Sequence, residues 1–78
     1  PDEDTLEDQL IYEQNLSTLK LCIKQLKPHY QQIIQLRYFQ ERSYNEIAEI
    51  INEPLNNVKI KLLRAKKLLT ELIKSQKH

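Results

Sequence analysis

The sequence predicts an all-α, four-helix domain, and three observations carry that expectation. Glycine and tryptophan are absent while Lys, Glu, Gln, Leu and Ile abound, a mix that suits helices and argues against a strand-and-turn protein. Apolar residues recur at steps of three and four, the period of a helix that buries one face. Residues with helix-starting and helix-stopping chemistry sit between those stretches. At 78 residues the chain is one small domain, able to bury about 60–65% of its unfolded surface but not to enclose a deep cleft.

The first helix is expected over about residues 5–26. Thr5-x-x-Asp8 resembles a capping box, and its acids suit the positive end of a helix. Tyr12, Leu16, Leu19, Ile23 and Leu26 form one apolar stripe. Residues 1–11 are strongly acidic and read as a linker or the frayed start of this helix, with the folded domain over 12–75. Lys27-Pro28 interrupts, because proline disfavours a helical predecessor yet fits the first turn of a new helix.

The second helix, about 29–39, is apolar nearly all round through Tyr30, Ile33, Ile34, Leu36, Tyr38 and Phe39, so it belongs at the centre. Arg37 is the exception, and its guanidinium must reach solvent or a carboxylate. Ser43-x-x-Glu46 is a cleaner capping box. It opens a brief third helix, about 44–51, with Tyr44, Ile47, Ala48 and Ile51 on one face. Asn52 stands where the chain must turn left-handed, which asparagine tolerates better than any residue but glycine. Pro54 suits the first position of the fourth helix, about 54–75, whose stripe is Val58, Leu62, Ala65, Leu69 and Leu72. Residues 76–78 are expected to be a disordered tail.

The third and fourth helices together have the spacing of a helix-turn-helix. Ala48 lets two backbones approach, Asn52 makes the turn, and Val58 packs back under the first helix of the pair. An ordinary helical hairpin in a small bundle is the other reading of this pattern.

Charge points the same way. Residues 1–19 hold six of the eleven acids and no basic residue, whereas 20–78 hold all twelve basic residues. Seven of those lie within 56–78, against Glu71 alone. A basic terminal helix on a chain of net charge +1 suggests a polyanion for that helix, although a Lys/Arg run by itself is more often a solvated face. The preceding turn favours the polyanion.

Other chemistries find little support. Cys22, flanked by Leu21 and Ile23, is the single cysteine, so no disulfide forms within the chain and its place is in the core. His29 and His78 are far apart, no glycine cradles a phosphate, and no paired carboxylates or Ser-His-Asp set suggests catalysis, so no enzyme, metal or cofactor is expected. No segment is apolar enough to insert in a membrane and no signal-peptide pattern is visible, so the expected compartment is the cytoplasm. The lack of methionine makes a domain from a longer or processed chain the expectation.

The chain also resembles a family. Leu26-Lys27-Pro28-His29-Tyr30-Gln31-Gln32-Ile33-Ile34-Gln35-Leu36-Arg37-Tyr38-Phe39, then Ser43-Tyr44-Asn45-Glu46-Ile47-Ala48, then Val58-Lys59 and Leu62-Leu63-Arg64-Ala65-Lys66, look like the C-terminal region-four domain of extracytoplasmic-function RNA polymerase sigma factors. The likeness covers about residues 16–72. A LuxR-type response-regulator domain shares the "EIA" and "VK" elements but lacks the "RA" dipeptide and the "LRYF" stretch.

The resemblance implies a four-helix, winged-helix-like or region-four DNA-binding domain. Such a domain binds double-stranded promoter DNA at the −35 element while docking on the β-flap of RNA polymerase, and anti-sigma factors clamp such domains. The acidic start would then be the linker from a −10-binding domain. Asn56, Asn57, Lys59, Ile60, Leu63 and Arg64 are implied to be the DNA-facing surface. Lys59 and Arg64 would reach base edges or flanking phosphates, with Lys61, Lys66 and Lys67 as phosphate contacts or solvated charges.

The sequence departs from that pattern at several points. Ile60 replaces a small polar residue, Leu63 a histidine or aromatic, and Asn57 a frequent threonine, while Arg42 and Glu53 replace apolar residues. Exposed Ile60 and Leu63 would sense thymine methyl groups or form a partner surface. The alternatives are therefore a protein-interaction module on the same fold, and a stand-alone transcriptional regulator without polymerase docking.

Overall fold

The structure, a computed structural model, describes residues 6–76. Five helices follow one another: α1 (Leu6–Glu13), α2 (Leu16–Lys24), α3 (Pro28–Ile34), α4 (Tyr44–Ile51) and α5 (Leu55–Gln76). A single π-helical turn, Gln35–Phe39, extends α3. No strand occurs among the described residues, so the fold is all-α and shows no β wing there.

The fifth helix is the first correction. The segment expected as one helix over 5–26 is two, because Asn15 leaves the helical conformation (φ −72°, ψ 159°) and its Oδ1 accepts the Thr18 N–H at 2.9 Å. Asparagine competes for nearby backbone donors in this way, which makes it a better cap than a helix interior residue. The break also turns the predicted stripe. Leu19, Ile23 and Leu26 are buried as expected, but Tyr12 and Leu16 are exposed and Ile11 takes the inner position. Residues 6–11 are thus helical, with Asp8 and Ile11 buried. The capping box expected at Thr5 lies outside the described residues.

The link from α2 to α3 is held by a side chain. Gln31 Nε2 donates to the Leu26 carbonyl at 2.7 Å and lies 3.4 Å from the Lys24 carbonyl, a group that the end of α2 leaves open. Pro28 occupies the first position of α3, after an extended Lys27. Ile33, Ile34 and Leu36 are buried as the apolar pattern requires, while Phe39 reaches the surface.

The π turn has no warning in the sequence. Gln40 N–H reaches back to the Gln35 carbonyl at 3.0 Å and Arg42 N–H to the Leu36 carbonyl at 2.9 Å, and Glu41 then takes a left-handed φ of 55°. The extra residue in the turn re-aims the side chains beyond it. Arg37 Nη1 donates to the Arg42 carbonyl at 2.9 Å and its guanidinium lies 4.6 Å over the Tyr44 ring. It is therefore satisfied by a carbonyl and an aromatic face rather than by a carboxylate.

The punctuation of α4 is as the sequence predicts. Ser43 Oγ accepts the Glu46 N–H at 3.1 Å, and Glu46 Oε1 accepts the Ser43 N–H at 2.9 Å. Asn52 is left-handed (φ 59°, ψ 48°). The Glu53 N–H closes onto the Ala48 carbonyl at 3.0 Å, the six-to-one bond of a Schellman turn. Pro54 caps α5 rather than opening it, its carbonyl accepting from Asn57 and Val58.

Helix α5 is the spine. Its 22 residues span about 33 Å at 1.5 Å per residue, against a longest molecular extent of 38 Å. It packs against α1, α2, α3 and α4. Val58, Leu62, Ala65, Leu69 and Ile73 are buried along it. Ile73 replaces the expected Leu72, which is half-buried, because steps of four at the end follow the true helical period better than the drift of a strict seven-residue repeat. Residues 77–78 of the expected tail lie outside the described residues, and Gln76 ends α5.

Candidate nucleic-acid interface

A helix whose core stripe points inward presents its opposite side to solvent, at about 100° per residue. On α5 that outer side carries Asn56, Ile60, Leu63, Arg64 and Lys67, all exposed, with exposed Asn57 beside Arg64 and exposed Lys59 on the other flank. The Ser43–Glu46 box, the Asn52 turn and the burial of Ile47 and Val58 fix α4 against the start of α5, so this face is held on a rigid two-helix unit.

Two of the residues expected on this surface are elsewhere engaged. Lys66 is buried: its Nζ lies 3.4 Å from both carboxylate oxygens of Asp8 on α1. At 5% exposure it is neither a phosphate contact nor a solvated charge, because its position next to Ala65 turns it toward the core side of the helix. Lys61 is half-buried and its Nζ lies 3.0 Å from Glu53 Oε2 in the turn. The remaining seven, Asn56, Asn57, Lys59, Ile60, Leu63, Arg64 and Lys67, stand at the surface.

The fold also adds residues that sequence spacing does not connect to α5. His29 and Tyr30, in the first turn of α3, line a shallow depression with Glu53, Asn57, Ile60, Lys61 and Arg64. Their rings sit 4.1 Å apart. Some thirty residues separate them from the outer face of α5, and only the packing of α3 on α5 brings them there.

The electrostatics of the face are simple. Lys59, Arg64 and Lys67 are cationic, the asparagines neutral donors and acceptors, and Ile60 and Leu63 apolar. Among residues 56–67 there is no acid. Cations, amides and apolar groups on one exposed helix face match what the major groove offers: phosphates along its edges, donors and acceptors on its floor, and thymine methyl groups.

A family model described as "Sigma-70, region 4" matches residues 16–69. The chain belongs to the sigma-70 region 4 family. No curated protein and no solved structure gave a significant match. The matched segment of this region-four domain runs from the first residue of α2 to Leu69 in α5, so it contains the helix-turn-helix and its outer face. Helix α1 lies outside it. The family is one of DNA-binding domains from sigma factors and not of enzymes. Among the described residues no group of His, Cys, Asp and Glu could hold a metal ion, and no helix is long and apolar enough to cross a membrane.

Proposed function

We propose that this region-four domain recognises the −35 element of bacterial promoters as the C-terminal domain of an extracytoplasmic-function sigma factor, in the cytoplasm. The observation that carries the reading is the outer face of α5, where a helix-turn-helix of this family presents Asn57, Arg64, Lys59 and Lys67 together without an acid between them. Arg64 pairs with a guanine or a flanking phosphate, and the asparagines contact base edges or phosphates. Ile60 and Leu63 meet thymine methyl groups. Lys59 and Lys67 neutralise phosphates.

Polymerase tethering falls to an apolar surface around α3 and α4, through exposed groups such as Phe39 and Ile50. An anti-sigma factor that clamps the domain would compete for one or both surfaces. The test is a residue-resolved NMR titration with the isolated β-flap. Shifts on α3 and α4 that leave residues 56–67 unchanged support polymerase docking. No binding at sub-millimolar flap removes it and leaves a stand-alone regulator.

The exposure of Ile60 (48%) and Leu63 (55%) favours one further reading, a protein-interaction module that uses the same face of α5. Failure of the chain to bind any duplex at low salt, with capture of a partner helix by Ile60 and Leu63, would establish it.

A further inference from the structure

The helix-turn-helix turn places a carboxylate beside the proposed DNA face. Glu53 Oε2 and Lys61 Nζ are 3.0 Å apart, with side chains one-third and one-fifth exposed. The pair is part of the depression that Asn57, Ile60, Arg64 and His29 line, and Glu53 is the one acid among its lining residues. We propose that Glu53 limits the affinity and salt dependence of DNA binding: by holding Lys61 it withdraws one cation from phosphate neutralisation. The proposal rests on the DNA reading above.

The physical case is one of exchange. Non-specific affinity comes almost entirely from cations that neutralise phosphates and release counterions. A free lysine gains a phosphate at no cost to a prior partner. Lys61 must leave Glu53, and the carboxylate it leaves stands unpaired next to the phosphate backbone. The exchange returns little, so Lys61 does not add to the count of neutralised phosphates. The contacts that Arg64 and Asn57 make with base edges involve neither member of the pair. Base readout is untouched, and cognate and random duplexes lose the same phosphate contact, so Glu53 lowers the affinity and the salt dependence of both alike.

The experiment uses the chain with two duplexes, one recovered from a randomised pool and one scrambled from it, and reads Kd from about 50 to 200 mM salt. E53Q is expected to tighten binding to both duplexes about fivefold at the low end, the scale of one exposed ion pair. Its log–log salt slope is expected to steepen by about 0.9, the signature of one further phosphate contact. In the E53Q/K61A double variant the slope is expected to return to the wild-type value. An unchanged slope in E53Q overturns the proposal. So does a double variant that keeps the steeper slope, because loss of the Glu53 charge and not release of Lys61 would then be acting. No duplex binding by the wild-type chain overturns the DNA reading itself, and this inference with it.

Discussion

The ammonium of Lys66 on α5 lies 3.4 Å from both carboxylate oxygens of Asp8 on α1, across 58 positions of sequence. Their side chains are only 6% and 10% exposed. Tyr38, just past α3, donates its hydroxyl to the same carboxylate. Three elements thus meet at one charged point, and one of them lies outside the segment the family model matches. Helix α1 is a working part of this domain and occupies a cation expected from the family resemblance to be a phosphate contact or a solvated charge.

Removing one member of that pair leaves the other charge buried. Asp8→Asn or Lys66→Met is expected to lower stability by about 3–5 kcal/mol, whereas the double change Asp8→Leu/Lys66→Met recovers most of the loss. Urea denaturation of the three variants measures this. Single variants as stable as the wild type would show that water reaches the pair freely.

Tyr38 makes the network sensitive to alkali. Burial first, then the hydrogen bond and the charge of Asp8, raise its phenol above the ordinary value of 10. A folded-state pKa above the unfolded one means the protonated form stabilises the fold. That contribution is complete below about pH 10 and is lost as the pH rises from there toward the folded-state value. Tyr38→Phe is expected to cost about 1 kcal/mol near neutrality and to flatten the alkaline limb of stability against pH. The same limb in both proteins would contradict the assignment.

On the proposed DNA reading, the outer face of α5 makes two kinds of contact. Arg64→Ala is expected to cost about 1–3 kcal/mol on the recovered duplex and to relax preference at one base pair. Lys67→Ala is expected to weaken all duplexes alike and to reduce the salt slope by about 0.9. Kd measurements over a salt series distinguish the two. Equal losses on every sequence for both variants would reduce Arg64 to a phosphate contact.

Cys22 is fully buried, and desolvation pushes its thiol above its usual value. Only the thiolate reacts, so a thiol reagent is expected to label native protein far more slowly than urea-unfolded protein. Equal rates would mean that α2 opens easily from the core.

Much of this was legible in the sequence where local chemistry decides the structure. Ser43, Glu46 and Asn52 act on backbone groups within a few residues of themselves, so the boundaries of α4 follow from their side chains alone. The stripe of α5 is likewise a property of periodicity. The break at Asn15 was less legible, because Tyr12 and Leu16 fit the apolar period across it. The cluster Asn15-Leu16-Ser17-Thr18, with three weak helix formers, is the signal that marks it. The π turn at 35–39 has no local signal.

The candidate site divides in the same way. Asn56, Asn57, Lys59, Ile60, Leu63, Arg64 and Lys67 are exposed because helical geometry puts them opposite the core stripe. Lys66 fails because it borders that stripe and finds a carboxylate from α1, a contact that no spacing rule encodes. His29 and Tyr30 join the site only through the packing of α3 on α5.

The most direct test of the central claim is an amide NMR titration of the chain with the recovered duplex at low salt. Shifts are expected at Asn56, Asn57, Lys59, Ile60, Leu63, Arg64 and Lys67 and in the first turn of α3, with the Asp8–Lys66 contact undisturbed. Shifts confined to α2 and the π turn, with the outer face of α5 unchanged, would contradict it.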